Sequence, residues 1–219
     1  MKNLEKLLTV IFMMTMASMA FSQTFGVKAG LNLSNMLIKD NTTTYSTDFK
    51  MNPGFHVGAT VEFPFGEVFS LEPGLLLTTK GYKFEDTYDL LPDGKYNYTM
   101  KLNNYYLEIP LYAKAGFDVG NARIYGALGP YVGVGLWGKI VTEIEGQDKE
   151  KENVKWGSNA DEDDLKRFDF GMTAGVGFEF SSFLLEVSYG YGLTNLSPYT
   201  TDGLKMNNRV LGISAGYKF

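Results

Sequence analysis

Apolar and polar residues alternate along the chain with a period of two from Thr24 onward. The clearest run covers residues 168–180, where one face takes the apolar positions Phe168, Phe170, Met172, Ala174, Val176, Phe178 and Phe180. Small or polar residues, including Asp169 and Glu179, occupy the positions between them. A period of two is typical of a β-strand, because a helix would repeat every 3.6 residues.

The same alternation predicts seven more strands. They cover residues 25–34, 55–63, 69–78, 104–117, 122–138, 183–193 and 211–219. An even number of strands is what an up-and-down barrel with both ends on one side requires. The predicted fold is therefore all-β, an eight-stranded antiparallel up-and-down transmembrane β-barrel. A further hairpin within the Thr-rich segment from Thr42 to Lys50 would raise the number of strands to ten.

The predicted connections alternate between short and long. Short ones lie at residues 64–67, 118–121 and 181–182, and long ones at residues 35–53, 82–103, 139–166 and 195–208. Successive connections of an up-and-down barrel lie at opposite ends. All the short connections would therefore lie at one end of this barrel and all the long ones at the other. Outer-membrane barrels have this asymmetry, with short periplasmic turns and longer outside loops.

Aromatic residues on the apolar face indicate that this face points outward, toward lipid. One group lies near the short turns: Phe25, Phe63, Phe69, Phe117, Phe178, Phe183, Tyr217 and Phe219. A second lies toward the long connections: Phe55, Tyr105, Trp137, Phe170 and Tyr191. Two aromatic belts around an aliphatic middle are typical of residues at the two interfaces of a bilayer.

The opposite face is rich in glycine and charge, and we assign it to the lumen. Its charged residues are Lys28, Glu62, Glu72, Glu108, Lys114, Arg123, Asp169, Glu179, Glu186 and Lys218, with His56 and Lys80 nearer the long connections. The interior of an eight-stranded barrel is only wide enough for side chains. We therefore expect these charges to pair in a structural network, since an isolated buried charge costs several kcal/mol. The alternative is a narrow pore that the same residues line.

Composition excludes several kinds of chemistry. The 219 residues include no Cys, one His and 25 Gly, with a formal net charge of -5. Without cysteine there is no disulfide scaffold, thiolate zinc site or cysteine nucleophile, and one histidine cannot form a multi-histidine metal site. The acidic balance argues against nucleic acid as a partner.

Residues 1–22 are predicted to be a secretory signal peptide. Lys2 and Lys6 precede an uncharged apolar run from Leu7 to Phe21, which is shorter than the roughly 20 residues of a membrane-spanning helix. Cleavage after Ser22 would leave residues 23–219 as the barrel domain, and cleavage after Ala20 is the alternative.

Two short motifs carry a resemblance to a known family. Residues 26–34 read Gly-Val-Lys-Ala-Gly-Leu-Asn-Leu-Ser, and the chain ends in Tyr217-Lys218-Phe219. With these motifs, residues 24–219 resemble the outer-membrane β-barrel family often labelled porin-like, and in architecture the small OmpA and OmpX barrels. The resemblance implies a place in the outer membrane of a Gram-negative cell, among its lipid and lipopolysaccharide. It also implies that the barrel-insertion machinery reads the terminal aromatic residue.

Candidate catalytic and ligand sites are few. His56 could in principle act as a catalytic base, since some outer-membrane hydrolases that modify lipids use a histidine together with a serine and an acid. We expect a hydrogen-bonded or solvent-facing histidine instead. The run Asp161 to Asp164 lacks the spaced ligands and central glycine of a calcium loop. Gly129, Gly133 and Gly135 are not followed by a helix, so close packing against bulky lumen residues explains them better than phosphate binding. We predict no catalytic residue, metal or cofactor.

The expected function is that of a non-enzymatic structural or envelope-interaction protein that acts through four long extracellular loops, whose partner the sequence does not identify. A small passive pore for ions or solutes is the first alternative. A secreted lipocalin-like carrier, with its apolar face inward, is the second.

Overall fold

The computed structural model describes residues 23–45, 49–90 and 94–219. The predicted signal peptide, residues 1–22, lies outside the described residues. Ten strands form within the described part: β1 (Thr24–Lys39), β2 (Phe49–Lys50), β3 (Asn52–Phe65), β4 (Phe69–Leu90), β5 (Gly94–Val119), β6 (Ala122–Ile144), β7 (Glu150–Asn153), β8 (Phe168–Phe180), β9 (Phe183–Gly192) and β10 (Lys205–Lys218). A short 3-10 turn, Thr201–Gly203, precedes β10. No helix in these ranges has the length and apolar character needed to cross a membrane.

Eight of the strands close into a ring. Its order is β1, β3, β4, β5, β6, β8, β9, β10 and back to β1, with antiparallel pairing throughout. The two remaining strands pair with parts of β4 and β6 that extend beyond the ring at the other end from the tight turns: β2 pairs with Lys83 and Phe84, and β7 with residues 139–142. The predicted eight-stranded up-and-down barrel is confirmed. The extra strand near Thr42 to Lys50 is β2, which pairs with β4 and does not enter the ring.

Three tight turns join the strands at one end of the barrel. They lie at residues 66–68, 120–121 and 181–182, as the sequence predicts. Gly66, Gly120 and Ser181 adopt positive φ angles of 74°, 63° and 55° there. A positive φ suits glycine, which has no Cβ to clash with the backbone. We call this the short-turn end, and the other the long-connection end.

The apolar face points outward, as predicted. Leu31 and Val176 are 66% and 65% exposed, whereas Lys28 and Glu72, on the other face, are 3% and 1% exposed. Burying charge and exposing aliphatic side chains is the reverse of a water-soluble fold. This arrangement does not fit a lipocalin-like carrier, whose lumen would be apolar.

The long connections are more ordered than the sequence predicts. Within residues 82–103, which were predicted as a loop, β4 continues to Leu90, β5 begins at Gly94, and the two strands pair along this length. In the same way β1 continues to Lys39, β6 continues to Ile144, and β10 begins at Lys205. The prediction was wrong because it followed the apolar outward face, which ends where the strands leave lipid although their backbone pairing continues.

Above that boundary the two faces of the strands exchange character. On β1 the inward side chains are Lys28, Asn32 and Ser34 at first, and then Met36 and Ile38. The buried apolar residues at this end form one cluster, consisting of Met36, Ile38, Leu102, Val154, Leu165 and Leu196. Phe49, Tyr82, Ile140, Trp156, Leu204 and Met206 pack against it. We call this cluster with its packing residues the outer cap, because it fills the barrel at the long-connection end.

Candidate functional site

The lumen contains a network of charges near the short-turn end. The Lys114 ammonium lies 3.2, 3.0 and 3.0 Å from carboxylate oxygens of Glu62, Glu72 and Glu179. Lys218 also contacts Glu62 and Glu179, at 2.5 and 2.6 Å. The five residues come from β3, β4, β5, β8 and β10, which are not all neighbours in the ring, so their side chains meet across the lumen once the barrel has closed.

The network continues toward the middle of the barrel through a second lysine. The Lys28 ammonium lies 3.3 Å from Glu72 and 3.2 Å from Glu186. The Tyr125 hydroxyl donates to Glu186 at 2.9 Å. Three lysines are thus set among four carboxylates, and each carboxylate contacts at least one ammonium. Such mutual contact is what offsets the cost of burying charge.

A separate cluster lies nearer the outer cap. The Lys80 ammonium contacts Glu108 at 2.6 Å and Asp169 at 3.0 Å. Asp169 also accepts hydrogen bonds from the Tyr131 hydroxyl, at 3.2 Å, and from the Asn208 amide, at 2.8 Å. Lys80 and Asp169 are 3% and 0% exposed, so this cluster is closed to solvent.

Tyrosine rings complete the surroundings of the buried lysines, a feature that sequence reasoning missed. The Lys80 ammonium lies 3.9 Å from the centre of the Tyr131 ring, and that of Lys114 lies 4.0 Å from the Tyr125 ring. A cation over an aromatic face is attracted by the ring quadrupole, more strongly when it is desolvated. The available signal was the presence of tyrosines on the polar face of the fourth and fifth predicted strands.

Nine of the ten predicted lumen residues lie in these two clusters. They are Lys28, Glu62, Glu72, Glu108, Lys114, Asp169, Glu179, Glu186 and Lys218. The tenth, Arg123, lies at the rim, where it contacts Asp118 at 3.6 Å and donates to the Val68 carbonyl at 3.1 Å. Arg123 is the second residue of β6 and lies next to the turn after β5, so its partner Asp118 is also at the rim.

His56 lies in the middle of the lumen in a chain of hydrogen bonds. Its Nδ1 is 2.7 Å from the Asn32 Oδ1, and its Nε2 is 2.9 Å from the Ser214 Oγ. All three side chains are buried. A serine, a histidine and an amide in this order is the arrangement in which the histidine can accept the serine proton. The partners Asn32 and Ser214 were not predicted, since only the strand register brings them together.

A small cavity adjoins this histidine. It has a volume of about 50 Å³ and lies between the two charge clusters, with Lys28, Glu186, Lys80 and Glu108 among its lining residues. That space suffices for a few water molecules. It is too small for a lipid chain or sugar.

The acidic run in the long connection before β8 makes local hydrogen bonds. Asp163 accepts from the Asn159 backbone at 2.8 Å, and Asp164 from the Lys155 backbone at 2.8 Å. Within residues 23–45, 49–90 and 94–219, no group of three or more His, Cys, Asp or Glu side chains is arranged to hold a metal ion. The acidic run therefore shapes its loop.

Two carboxylates at the long-connection end have lowered pKa values. Hydrogen bonds from Lys50 and Lys83 lower the pKa of Glu85 to about 2. Backbone hydrogen bonds from Thr42 and Thr43, with a further bond from the Tyr45 hydroxyl, hold the pKa of Asp40 well below its usual range. In both cases donors that favour the charged form are the cause.

The fold and the buried lumen charges define an integral barrel of the outer-membrane type. A sequence model of the outer membrane protein beta-barrel domain matches residues 21–197. The chain therefore belongs to this family. It is a protein of the Gram-negative outer membrane and lies among the lipid and lipopolysaccharide of that membrane.

Solved structures with the same general architecture are distant in sequence. The outer membrane protein OprG from Pseudomonas aeruginosa is 15% identical, with a TM-score of 0.44, over 90% of this chain and 96% of its own. Neisserial surface protein A is 14% identical, with a TM-score of 0.43, over 90% and 99%. Ail, the attachment invasion locus protein of Yersinia pestis, is 18% identical, with a TM-score of 0.38, over 91% and 100%. A search of curated proteins found no match.

Proposed function

We propose that this protein is a non-enzymatic envelope protein whose closed barrel carries a rigid outer part that makes the functional contacts. The observation that carries the proposal is that packed side chains fill the lumen at two levels. Charge clusters occupy the membrane-embedded part, and the apolar outer cap occupies the long-connection end. In outer-membrane barrels the elaborated connections face the outside, and we orient this barrel in the same way.

The alternative, a passive pore for small solutes, has less support. A conducting path would have to separate ion pairs whose members are nearly all buried, such as Lys114 with Glu72, at 3% and 1% exposure. Breaking a buried pair costs about 3 to 5 kcal/mol. The path would then have to cross the outer cap, where Met36 and Leu196 are fully buried.

Single-channel recording in planar bilayers tests the closed barrel. We expect no reproducible openings from the purified protein. Openings whose size changes in the Glu108→Gln variant would favour the pore, because Glu108 borders both the cavity and the cluster around Lys80. Arg123→Gln, which changes a charge at the rim, is the matched variant. Openings whose size changes in both variants would show that the conducting path runs through the whole lumen.

Hydrolysis is the second candidate, because Ser214, His56 and Asn32 are arranged as a serine and its base. Against it, Ser214 is 3% exposed and the cavity beside it has room for only a few water molecules. We expect a fluorophosphonate probe to leave the folded protein unlabelled, and lipopolysaccharide acyl chains to stay intact. Labelling or deacylation that His56→Ala abolishes would make the protein an enzyme.

Assembly involves two further proposed steps. Removal of residues 1–22 would release the barrel domain, residues 23–219, to the periplasm. The barrel-insertion machinery would then engage the last strand, whose terminal Phe219 is 77% exposed and follows directly on β10. Phe219→Ala should lower the amount of inserted barrel in cells without changing its stability once inserted.

A further inference from the structure

The two lumen charge clusters both contain more carboxylates than lysines. The cluster around Lys80 has one lysine and two carboxylates, Glu108 and Asp169. The cluster near the short-turn end has three lysines and four glutamates, which are Lys28, Lys114, Lys218, Glu62, Glu72, Glu179 and Glu186. Arg123 and Asp118 form a separate pair at the rim and leave this count unchanged. Each cluster therefore has one negative charge in excess when its carboxylates are ionised.

Three charged residues lie near the clusters along the chain but do not remove this excess. Arg167 is exposed and donates to the Gly135 carbonyl at 3.3 Å. Arg209 lies on the outward side of β10, because the residues on either side of it face the lumen. Glu67 is exposed in a tight turn. Water and salt screen exposed charges, so the excess in the buried cluster around Lys80 persists.

The small cavity beside His56 lies between the two clusters. Residues from all eight strands of the ring line it. Each cluster contributes one pair of charges, Lys28 with Glu186 and Lys80 with Glu108. Hydroxyl groups supply much of the remaining polar lining, from Thr78, Thr173, Ser188 and Ser214. Oxygen atoms are the ligands of hard cations, and a cavity of about 50 Å³ has room for one ion with a few water molecules.

Glu108 has fewer partners than any other carboxylate of the two clusters. The other five contact two or more donors each, as Asp169 does with Lys80, Tyr131 and Asn208. Glu108 is only 7% exposed, yet within residues 23–45, 49–90 and 94–219 its one donor is the Lys80 ammonium, 2.6 Å from Oε2. A buried carboxylate without a full set of partners is costly. Because Glu108 borders the cavity, the cavity is where a further partner has room.

The hydrogen bonds of His56 are complete in its neutral form. The Asn32 amide nitrogen donates to three oxygen atoms of β3 and β4, so the Asn32 Oδ1 is the atom that faces the imidazole. The His56 Nδ1 therefore donates to Asn32, and its Nε2 accepts from the Ser214 hydroxyl. A second proton on the ring is not needed to satisfy either neighbour, so the missing positive charge has another source.

We propose that this cavity binds one monovalent metal cation, sodium or potassium, with Glu108 as the charged ligand and hydroxyl oxygens as neutral ligands. One such ion would neutralise the excess charge of the cluster around Lys80, which is otherwise buried without compensation. A divalent ion would bring two positive charges next to Lys28 and Lys80, and the described residues offer no group of three carboxylates to hold it. Such a site needs a closed lumen and no conduction, so it does not depend on the pore alternative.

Thermal unfolding of the full barrel in different salts tests this site. The barrel is refolded into detergent micelles in sodium, potassium or choline chloride at equal ionic strength, so that the ion can enter before the lumen closes. Choline is too large for the cavity. We expect the midpoint of unfolding, followed by circular dichroism, to be at least about 5 °C higher in sodium or potassium chloride than in choline chloride. Equal midpoints in all three salts would overturn the proposal.

Removal of the charged ligand should abolish this dependence on the cation. Glu108→Gln leaves the cluster around Lys80 neutral without an ion, so its midpoint should be the same in all three salts. In choline chloride it should be at least as stable as the native barrel. Asp118→Asn, which removes a carboxylate that is 73% exposed at the rim, is the matched control and should keep the full difference between salts. A difference of native size in Glu108→Gln would contradict the proposed ligand.

A milder variant keeps the test decisive if Glu108→Gln fails to fold. Ser188→Ala removes one hydroxyl from the cavity and no charge. It should leave the midpoint in choline chloride unchanged and raise the cation concentration for half-maximal stabilisation about threefold or more. An unchanged concentration in this variant, together with native behaviour of a Thr173→Val variant, would show that the hydroxyl groups do not bind the ion.

Nuclear magnetic resonance of the single histidine distinguishes a bound metal ion from a bound proton. His56 is the only histidine among the 219 residues, so nitrogen-15 labelling of histidine gives the signals of one ring. We expect these signals to shift between choline and sodium chloride at neutral pH, with one ring nitrogen protonated in both salts. Two protonated ring nitrogens in every salt would assign the missing charge to the histidine and overturn the metal site.

Discussion

The barrel lumen and the outer cap are two cores built on the same strands with opposite chemistry. In the lumen the buried groups are Lys, Glu and Tyr and the outer surface is aliphatic; in the cap the buried groups are Met, Leu and Ile and the outer surface carries lysines. The strand backbone passes through the boundary without interruption. The solvent outside the sheet, lipid in one region and water in the other, therefore decides which face is apolar.

The two cores also differ in how a single substitution can damage them. The lumen is held by directional contacts between charges, so the loss of one partner leaves others buried without compensation. The cap is held by apolar packing, so a truncated side chain leaves a cavity. The predictions below test this difference.

Removal of a buried cation should have the largest effect. Lys80→Met leaves the carboxylates of Glu108 and Asp169 without the ammonium that both contact. We expect the free energy of unfolding, measured by urea titration in detergent micelles, to fall by about 3 to 5 kcal/mol. Lys50→Met, which removes a lysine that is 61% exposed, should cost less than about 1 kcal/mol. Equal losses would mean that the lumen charges do not stabilise the barrel.

Truncation in the cap should be costly but local. Leu196 is fully buried, and Leu196→Ala should destabilise the cap by about 2 to 4 kcal/mol. Hydrogen exchange should rise in β1 and β10 above the boundary, while heat-dependent gel mobility stays that of a folded barrel. Leu193→Ala, at a position 53% exposed, should leave exchange unchanged. Loss of the whole barrel in the Leu196 variant would show that the two cores do not fold separately.

Substitution by alanine should be more costly at Gly177, in the lumen, than at Gly126. A Cβ at Gly177 would meet the Tyr125 ring, whose hydroxyl bonds Glu186, whereas a Cβ at Gly126 has no atom nearer than 4.0 Å. Gly177→Ala should cost about 1 to 3 kcal/mol through overpacking. Gly126→Ala should be neutral. The same urea titration compares them, and similar values would contradict tight packing around Tyr125.

The smallest expected effect is that of acid on the turn that contains Asp40, at the long-connection end. The pKa of Asp40 lies below its unfolded value of about 3.9. The stabilisation that the ionised Asp40 carboxylate gives to the turn is therefore complete above pH 4. It is lost as the pH falls through the lower pKa of the folded state. The amide NMR shifts of Thr42 and Thr43 should move only below pH 4. They should not titrate in Asp40→Asn, and a midpoint near 4 in the native chain would disprove the hydrogen-bonded turn.

The sequence predicted the membrane-embedded fold well because lipid imposes a simple rule on every second residue. Strand positions, the outward apolar face and the lumen charges all follow from that rule. It does not apply beyond the boundary, where Tyr82 and Leu102 turn inward and Lys83 and Lys101 outward on strands that continue. The predicted loops there were wrong for this reason.

Contacts that depend on strand register could not be predicted. His56 is 24 residues from Asn32 and 158 residues from Ser214 in the sequence, yet the three side chains meet in the lumen. The same is true of Lys50, Lys83 and Lys101, whose alignment follows from pairing and not from any local motif. Composition alone gives no signal for either arrangement.

Extension of the strands beyond the membrane has a consequence for how the outer surface can change over time. The backbone of a hydrogen-bonded strand has already lost its conformational entropy during folding, so a partner that binds side chains on these strands would not have to order it. Insertions would shift the register of the strands, whereas exchanges of single outward side chains would keep it. Selection for new partners would therefore act on individual side chains of the sheet more readily than on its length.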